Sequence, residues 1–88
     1  MTTSLTESDV AALGKTKVVD ARGVACPGPM LEAKRAMGSI GVGEVMELLS
    51  GDSQTKEDMG YWADLAGHTF VGVVPARGYD RLFVRRDK

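Results

Sequence analysis

The stretch ACPGPMLEAKRAM holds the only cysteine of the chain, Cys26, directly ahead of Pro27, Gly28 and Pro29. A lone thiol is either packed away as a small apolar group or used as a nucleophile. The residues around it favour use. A short β-like run precedes Cys26 and a helix-like run follows it, so the sulfur falls at, or just before, a helix N-cap. Unpaired N–H groups and the positive end of the helix dipole meet there, and both favour thiolate over thiol. Thiols so placed have pKa values lowered from about 8.5 into roughly the 3.5–7.5 range. Pro27 fixes a helical φ, Gly28 leaves room beside the sulfur, and Pro29 sits in a first turn where a missing N–H costs nothing.

Few other residues could share in the chemistry. His68 is the only histidine. It follows a second helix-like run, and two helices running the same way over one sheet would keep it far from Cys26, so no Cys–His dyad is expected. Asp20 and Arg22 lie closer in sequence, and Asp20 is suited to bonding loop amides. One cysteine cannot close an internal disulfide or build a cysteine-rich zinc site. No metal ligand set and no cofactor motif is recognised. A nucleophile without a base, a second thiol or a cofactor suits a carrier that receives a group from one protein and passes it to another. A redox sensor is a weaker reading, since the chain has no resolving cysteine.

The elements that must position Cys26 follow from the hydrophobic pattern. TKVVDA (16–21) reads as a strand, and residues 22–25, with Gly23, as a loop. The next helix carries Pro29, Met30, Ala33, Ala36 and Met37 on one stripe, and Leu31, Lys34 and Arg35 on an outer face beside Gly28. Leu31, Lys34 and Arg35 are candidate docking residues, since a carrier must bring its sulfur within bonding reach of a partner. GEVMELLS supplies a second strand over 44–50. A second helix follows, with Thr55 and Asp58 as a capping box, Asp52 or Ser53 as alternative caps, and Met59, Trp62, Ala63, Leu65 and Ala66 as its stripe. Gly67 stands where a helix-ending glycine belongs. HTFVGVV and RLFVRR read as strands joined by the turn PARGYD. The order β-α-β-α-β-β predicts an α/β two-layer sandwich: a mixed four-stranded sheet with both helices on one face. The other face, bearing Phe83, is expected to be open to water or to a partner.

The chain has 88 residues, 43% hydrophobic and 26% charged, which fits one small domain, expected over residues 16–88 behind a flexible tail over 1–15. The formal net charge of −1 gives no basic signature for direct nucleic-acid binding. Arg77, Arg81, Arg85, Arg86 and Lys88 are read as a solvated strand face. No run approaches the ~20 apolar residues of a membrane span, and no secretory signal is recognised, so a cytoplasmic monomer is expected.

DARGVACPGPMLEAKRAM resembles the Cys-Pro-x-Pro signature of the TusA/SirA-like sulfur-carrier family. GDSQTKEDMGYWADLAGHTF resembles its second block and RLFVRR its last strand, so the likeness runs from about Val18 to Arg86. It implies a fold like the C-terminal domain of bacterial translation initiation factor three. It also implies that Cys26 takes sulfur as a persulfide from a cysteine desulfurase or rhodanese-like donor and passes it to an acceptor protein, with Asp20, Gly23, Pro27, Gly28 and Pro29 as supporting motif residues. In some members the sulfur ends in thiolated tRNA; in others it serves molybdenum-cofactor supply or sulfur oxidation. Many relatives have proline where Gly60 stands. The alternative is a non-catalytic module that binds RNA or protein.

Overall fold

The computed structural model describes residues 17–23 and 28–88. The elements are β1 (Lys17–Ala21), α1 (Gly28–Met37), β2 (Val45–Ser50), α2 (Thr55–Ala66), β3 (Thr69–Ala76) and β4 (Tyr79–Arg85). They form a four-stranded sheet in the order β1-β2-β4-β3. β1 pairs parallel with β2, while β4 pairs antiparallel with both β2 and β3. β3 therefore runs the same way as β2, and both β-α-β connections carry helices that run in one direction. The tail over 1–15 lies outside the described residues, as do Thr16 and residues 24–27.

The α/β sandwich with both helices on one face is the fold expected from the sequence, and one apolar layer shows how the helices sit. Ala33, Ala36 and Met37 of α1 and Met59 and Ala63 of α2 are buried against Met46 and Leu48 of β2, Leu82 and Val84 of β4 and Val73 of β3. Small residues on α1 let its backbone come close to the sheet, and the longer methionines fill the space between layers. Leu65 does not belong to this layer and is exposed. It lies six residues past Met59, and six steps of about 100° turn it well away from the core stripe.

The start of α2 also departs from the expected capping box. The N-cap residue is Gln54, whose side chain makes no cap bond. Asp52 organises the turn instead: its Oδ1 accepts the Gln54 N–H at 2.9 Å and its carbonyl accepts the Thr55 N–H at 3.2 Å. Thr55 is the first helical residue and is buried, with no hydrogen-bond partner for its hydroxyl. The far end is as expected, with Gly67 left-handed at φ 84° and its N–H returned to the carbonyls of the last turn. The β3–β4 turn is shorter than PARGYD, because Pro75, Ala76, Tyr79 and Asp80 are paired within the strands. Pro75 is tolerated because β3 is an edge strand.

The second sheet face is not open at its centre. Val45, Val74 and Phe83 form a second buried cluster, with Val71 packed against it, and Phe83 has no exposed surface. Phe83 lies in a central strand, opposite Glu47 of β2 and Gly72 of β3. Glu47 is itself buried and pairs with Arg81 at 2.6 Å, diagonally across the β2–β4 ladder. The Arg81 guanidinium lies 5.6 Å from the centre of the Phe83 ring.

The C-terminal cations are therefore not one solvated face. Arg81 pairs inward, Arg85 pairs with Asp87 at 2.7 Å, and Arg86 donates to the carbonyls of Ile40 and Lys88.

Candidate functional site

The carboxyl ends of β1 and β2 lie side by side, with Ala21 opposite Ser50. Both helices begin from this edge of the sheet. Chain order places Cys26 and Pro27 between Gly23 and Gly28, and both lie outside the described residues. What precedes and follows them is defined.

On the upstream side, Asp20 and Arg22 form a local clamp. Asp20 accepts the Arg22 backbone N–H at 3.1 Å and the guanidinium at 2.9 and 2.8 Å. The Arg22 guanidinium also lies 4.9 Å from the centre of the Tyr79 ring, tying the end of β1 to the start of β4. Gly23 follows with φ 86°, a conformation in which a side chain would be strained. The hydrogen bonds from the Arg22 side chain, then from its backbone, lower the Asp20 pKa to about 2. So weak a base does not accept a thiol proton, and what Asp20 does hold is the backbone and side chain of Arg22. The lowered pKa means that the contact is intact above the ordinary carboxylate range and is lost as pH falls through about 2. A carboxyl-carbon NMR titration should give Asp20 a midpoint near that value. Arg22→Ala should return the midpoint to the ordinary range, and an unchanged midpoint would remove Arg22 as the cause.

On the downstream side, α1 starts at Gly28, with Pro29 in its first turn. That turn contains no acidic residue, so no carboxylate of α1 offsets the positive helix end, whereas α2 carries Glu57 and Asp58 in its own first turn. Lys34 and Arg35 lie in the last turn of α1, where cations complement the dipole. The outer face is as the sequence indicated: Leu31 is 57% exposed, and Lys34 and Arg35 are exposed. Arg35 has only a loose contact with Glu32 at 3.7 Å.

His68 is not brought to this edge. It lies past the C-terminal end of α2, about 18 Å of helix from that helix's start. Its ring is 5.5 Å from Trp62, and its Nδ1 accepts the Asp87 N–H at 3.1 Å. Among the described residues no group of three or more His, Cys, Asp or Glu could hold a metal ion, and no helix is long and apolar enough to cross a membrane. Sequence reasoning missed the part played by Tyr79, which was placed in a turn, and the exposed Tyr61 on α2. Tyr61 stands off the apolar stripe of α2, which was signal enough for its exposure, whereas the place of Tyr79 depends on β4 lying near the end of β1.

Together these features define a small α/β domain that directs two helix N-termini to one sheet edge, with a thiol-bearing connection entering the first. The chain belongs to the TusA sulfurtransferase family, whose model matches residues 17–86. It is 42% identical over 71 residues to a candidate sulfur carrier protein of Archaeoglobus fulgidus, an alignment covering 81% of this chain and 97% of that one. It is 35% identical over 71 residues to the candidate sulfur carrier YrkF of Bacillus subtilis, of which the alignment spans 38%. A SirA-like protein from Desulfitobacterium hafniense has the same fold, with a TM-score of 0.73 at 20% identity, covering 83% of this chain and all of that one.

Proposed function

We propose that the chain carries sulfur as a persulfide on Cys26 between a donor and an acceptor protein. The observation that carries this reading is the family match across residues 17–86, which includes the sole cysteine, two residues ahead of a helix whose first turn lacks any carboxylate. The donor is a cysteine desulfurase or a rhodanese-like protein bearing its own persulfide. The Cys26 thiolate attacks the outer sulfur of that persulfide. A new S–S bond forms on Cys26, the donor S–S bond breaks, and the donor leaves as a thiolate. In the second step the acceptor thiolate attacks the outer sulfur on Cys26 and releases the Cys26 thiolate. Each step exchanges one S–S bond for another, so no external oxidant or reductant is needed. Gly23 and the Asp20–Arg22 clamp fix the end of β1 from which the chain leaves toward Cys26. Gly28 and Pro29 open α1, and the dipole of that helix favours the sulfur as an anion both as attacker and as leaving group. The alternative of an RNA-contacting module is less well supported, because Arg81, Arg85 and Arg86 are engaged within the chain.

Isotope-labelled sulfur supplied as cysteine to a cysteine desulfurase should appear on the chain and be removed by reductant. No labelling with donors of either class would overturn the reading. Leu31, Lys34 and Arg35 form the docking face, an apolar anchor beside two cations that suits an acidic partner surface. Reversing charge at Lys34 and Arg35 should slow transfer from the desulfurase by about tenfold or more at low salt, with the deficit shrinking as salt screens it. The same rate as the unchanged protein at low salt would place docking elsewhere.

A further inference from the structure

The two edges of the sheet are not equivalent. β3, at one edge, carries Pro75 and a register shift between Phe70 and Gly72, both of which discourage pairing with another strand. β1, at the other edge, pairs among the described residues with β2 alone and has neither a proline nor a register shift. It presents Val18, 51% exposed. Between this edge and α1 runs a groove of about 340 Å³, lined by Lys17, Val18 and Val19 of β1 and by Glu32, Arg35 and Ala36 of α1. The floor is apolar and the rim is charged. Lys17 has no ion-pair partner among the described residues, and the Arg35 side chain is 79% exposed beside its 3.7 Å contact with Glu32. The rim thus carries two cations against one carboxylate, and the most accessible charges are positive.

We propose that β1 and this groove receive an extended, carboxylate-bearing segment of a protein partner in the sulfur relay. The inference rests on the carrier reading for the identity of the partner, but not for the binding itself. An added strand would take up the free main-chain groups of β1, which supplies affinity with little sequence demand. Alternate side chains would contact Val18 and enter the groove over Val19 and Ala36, and an acidic side chain would reach Lys17 or Arg35. Arg35 belongs to both this groove and the outer face of α1, so the strand would extend the docking surface around the helix.

The test uses the full ¹⁵N-labelled chain and two blocked hexapeptides, one alternating glutamate with valine and one alternating lysine with valine. The glutamate peptide should shift the amides of Lys17, Val18, Val19 and Asp20 and of residues 35–39, at the end of α1 and just past it, in a saturable titration. Lys17→Glu together with Arg35→Glu should weaken that binding by about tenfold or more. Equal shifts from the lysine peptide, or shifts centred on β3, would overturn the proposal. So would perturbation of the same amides by protein concentration alone, since the edge would then belong to a second copy. Sulfur loading of Cys26 is measured separately: loss of loading with peptide binding intact contradicts the carrier reading alone, and the reverse contradicts this inference alone.

Discussion

Truncating Phe83 to alanine is expected to lower the unfolding free energy by about 3–5 kcal/mol in urea denaturation. A domain of this length has about 4–13 kcal/mol in all, so the variant should be close to unfolding at 37 °C. The side chain has no exposed surface and packs with Val45 and Val74 on the face away from the helices. The loss combines the transfer free energy of the ring with the cavity left behind, because flanking strands fix the neighbouring backbone and allow little collapse. Leu82→Ala, on the helix-covered face of the same strand, serves as a reference for a buried aliphatic side chain at about 2–5 kcal/mol. A loss below about 1 kcal/mol for Phe83→Ala would mean that this face is open to water, as the sequence alone suggested.

Glu47→Ala should cost about 3–5 kcal/mol, because it removes the carboxylate from a buried ion pair and leaves the Arg81 guanidinium without its 2.6 Å contact. The Glu47 side chain is 3% exposed and that of Arg81 17%, so water replaces little of the lost interaction. Replacing both together, as Glu47→Leu with Arg81→Met, should cost much less than Glu47→Ala alone, since no charge is then stranded and apolar volume is kept. A double variant as unstable as the single one would show that packing, and not charge pairing, governs the site.

These two residues show where sequence reading stops. In VMELLS, Glu47 has the appearance of a solvated charge on an amphipathic strand, and Arg81 looks equally ordinary in RLFVRR. Their pairing spans 34 positions and becomes visible only once β4 lies beside β2. Local pattern was enough for the elements themselves. The stripe through Ala33, Ala36 and Met37 defined the buried side of α1 and left Leu31, Lys34 and Arg35 outside, as found. Leu65 is apolar in type, but its angle around α2 turns it to solvent. Thr55 and Asp58 have capping-box spacing, but the turn forms around Asp52, one of the two alternative caps. The groove beside β1 has no sequence signal, since it depends on which strands end up at the sheet edges. Of the candidate site, the bond from Asp20 to a nearby amide and the start of α1 were readable because both are local, while the Arg22 side-chain pair was not read.

The most direct measurement is the intact mass of the full chain after incubation with a cysteine desulfurase and cysteine, followed by peptide mapping. A gain of one sulfur atom is expected, located on Cys26 and reversed by reductant, with no gain in Cys26→Ser. An equal gain in Cys26→Ser, or no gain in the unchanged chain with any persulfide donor, would contradict it.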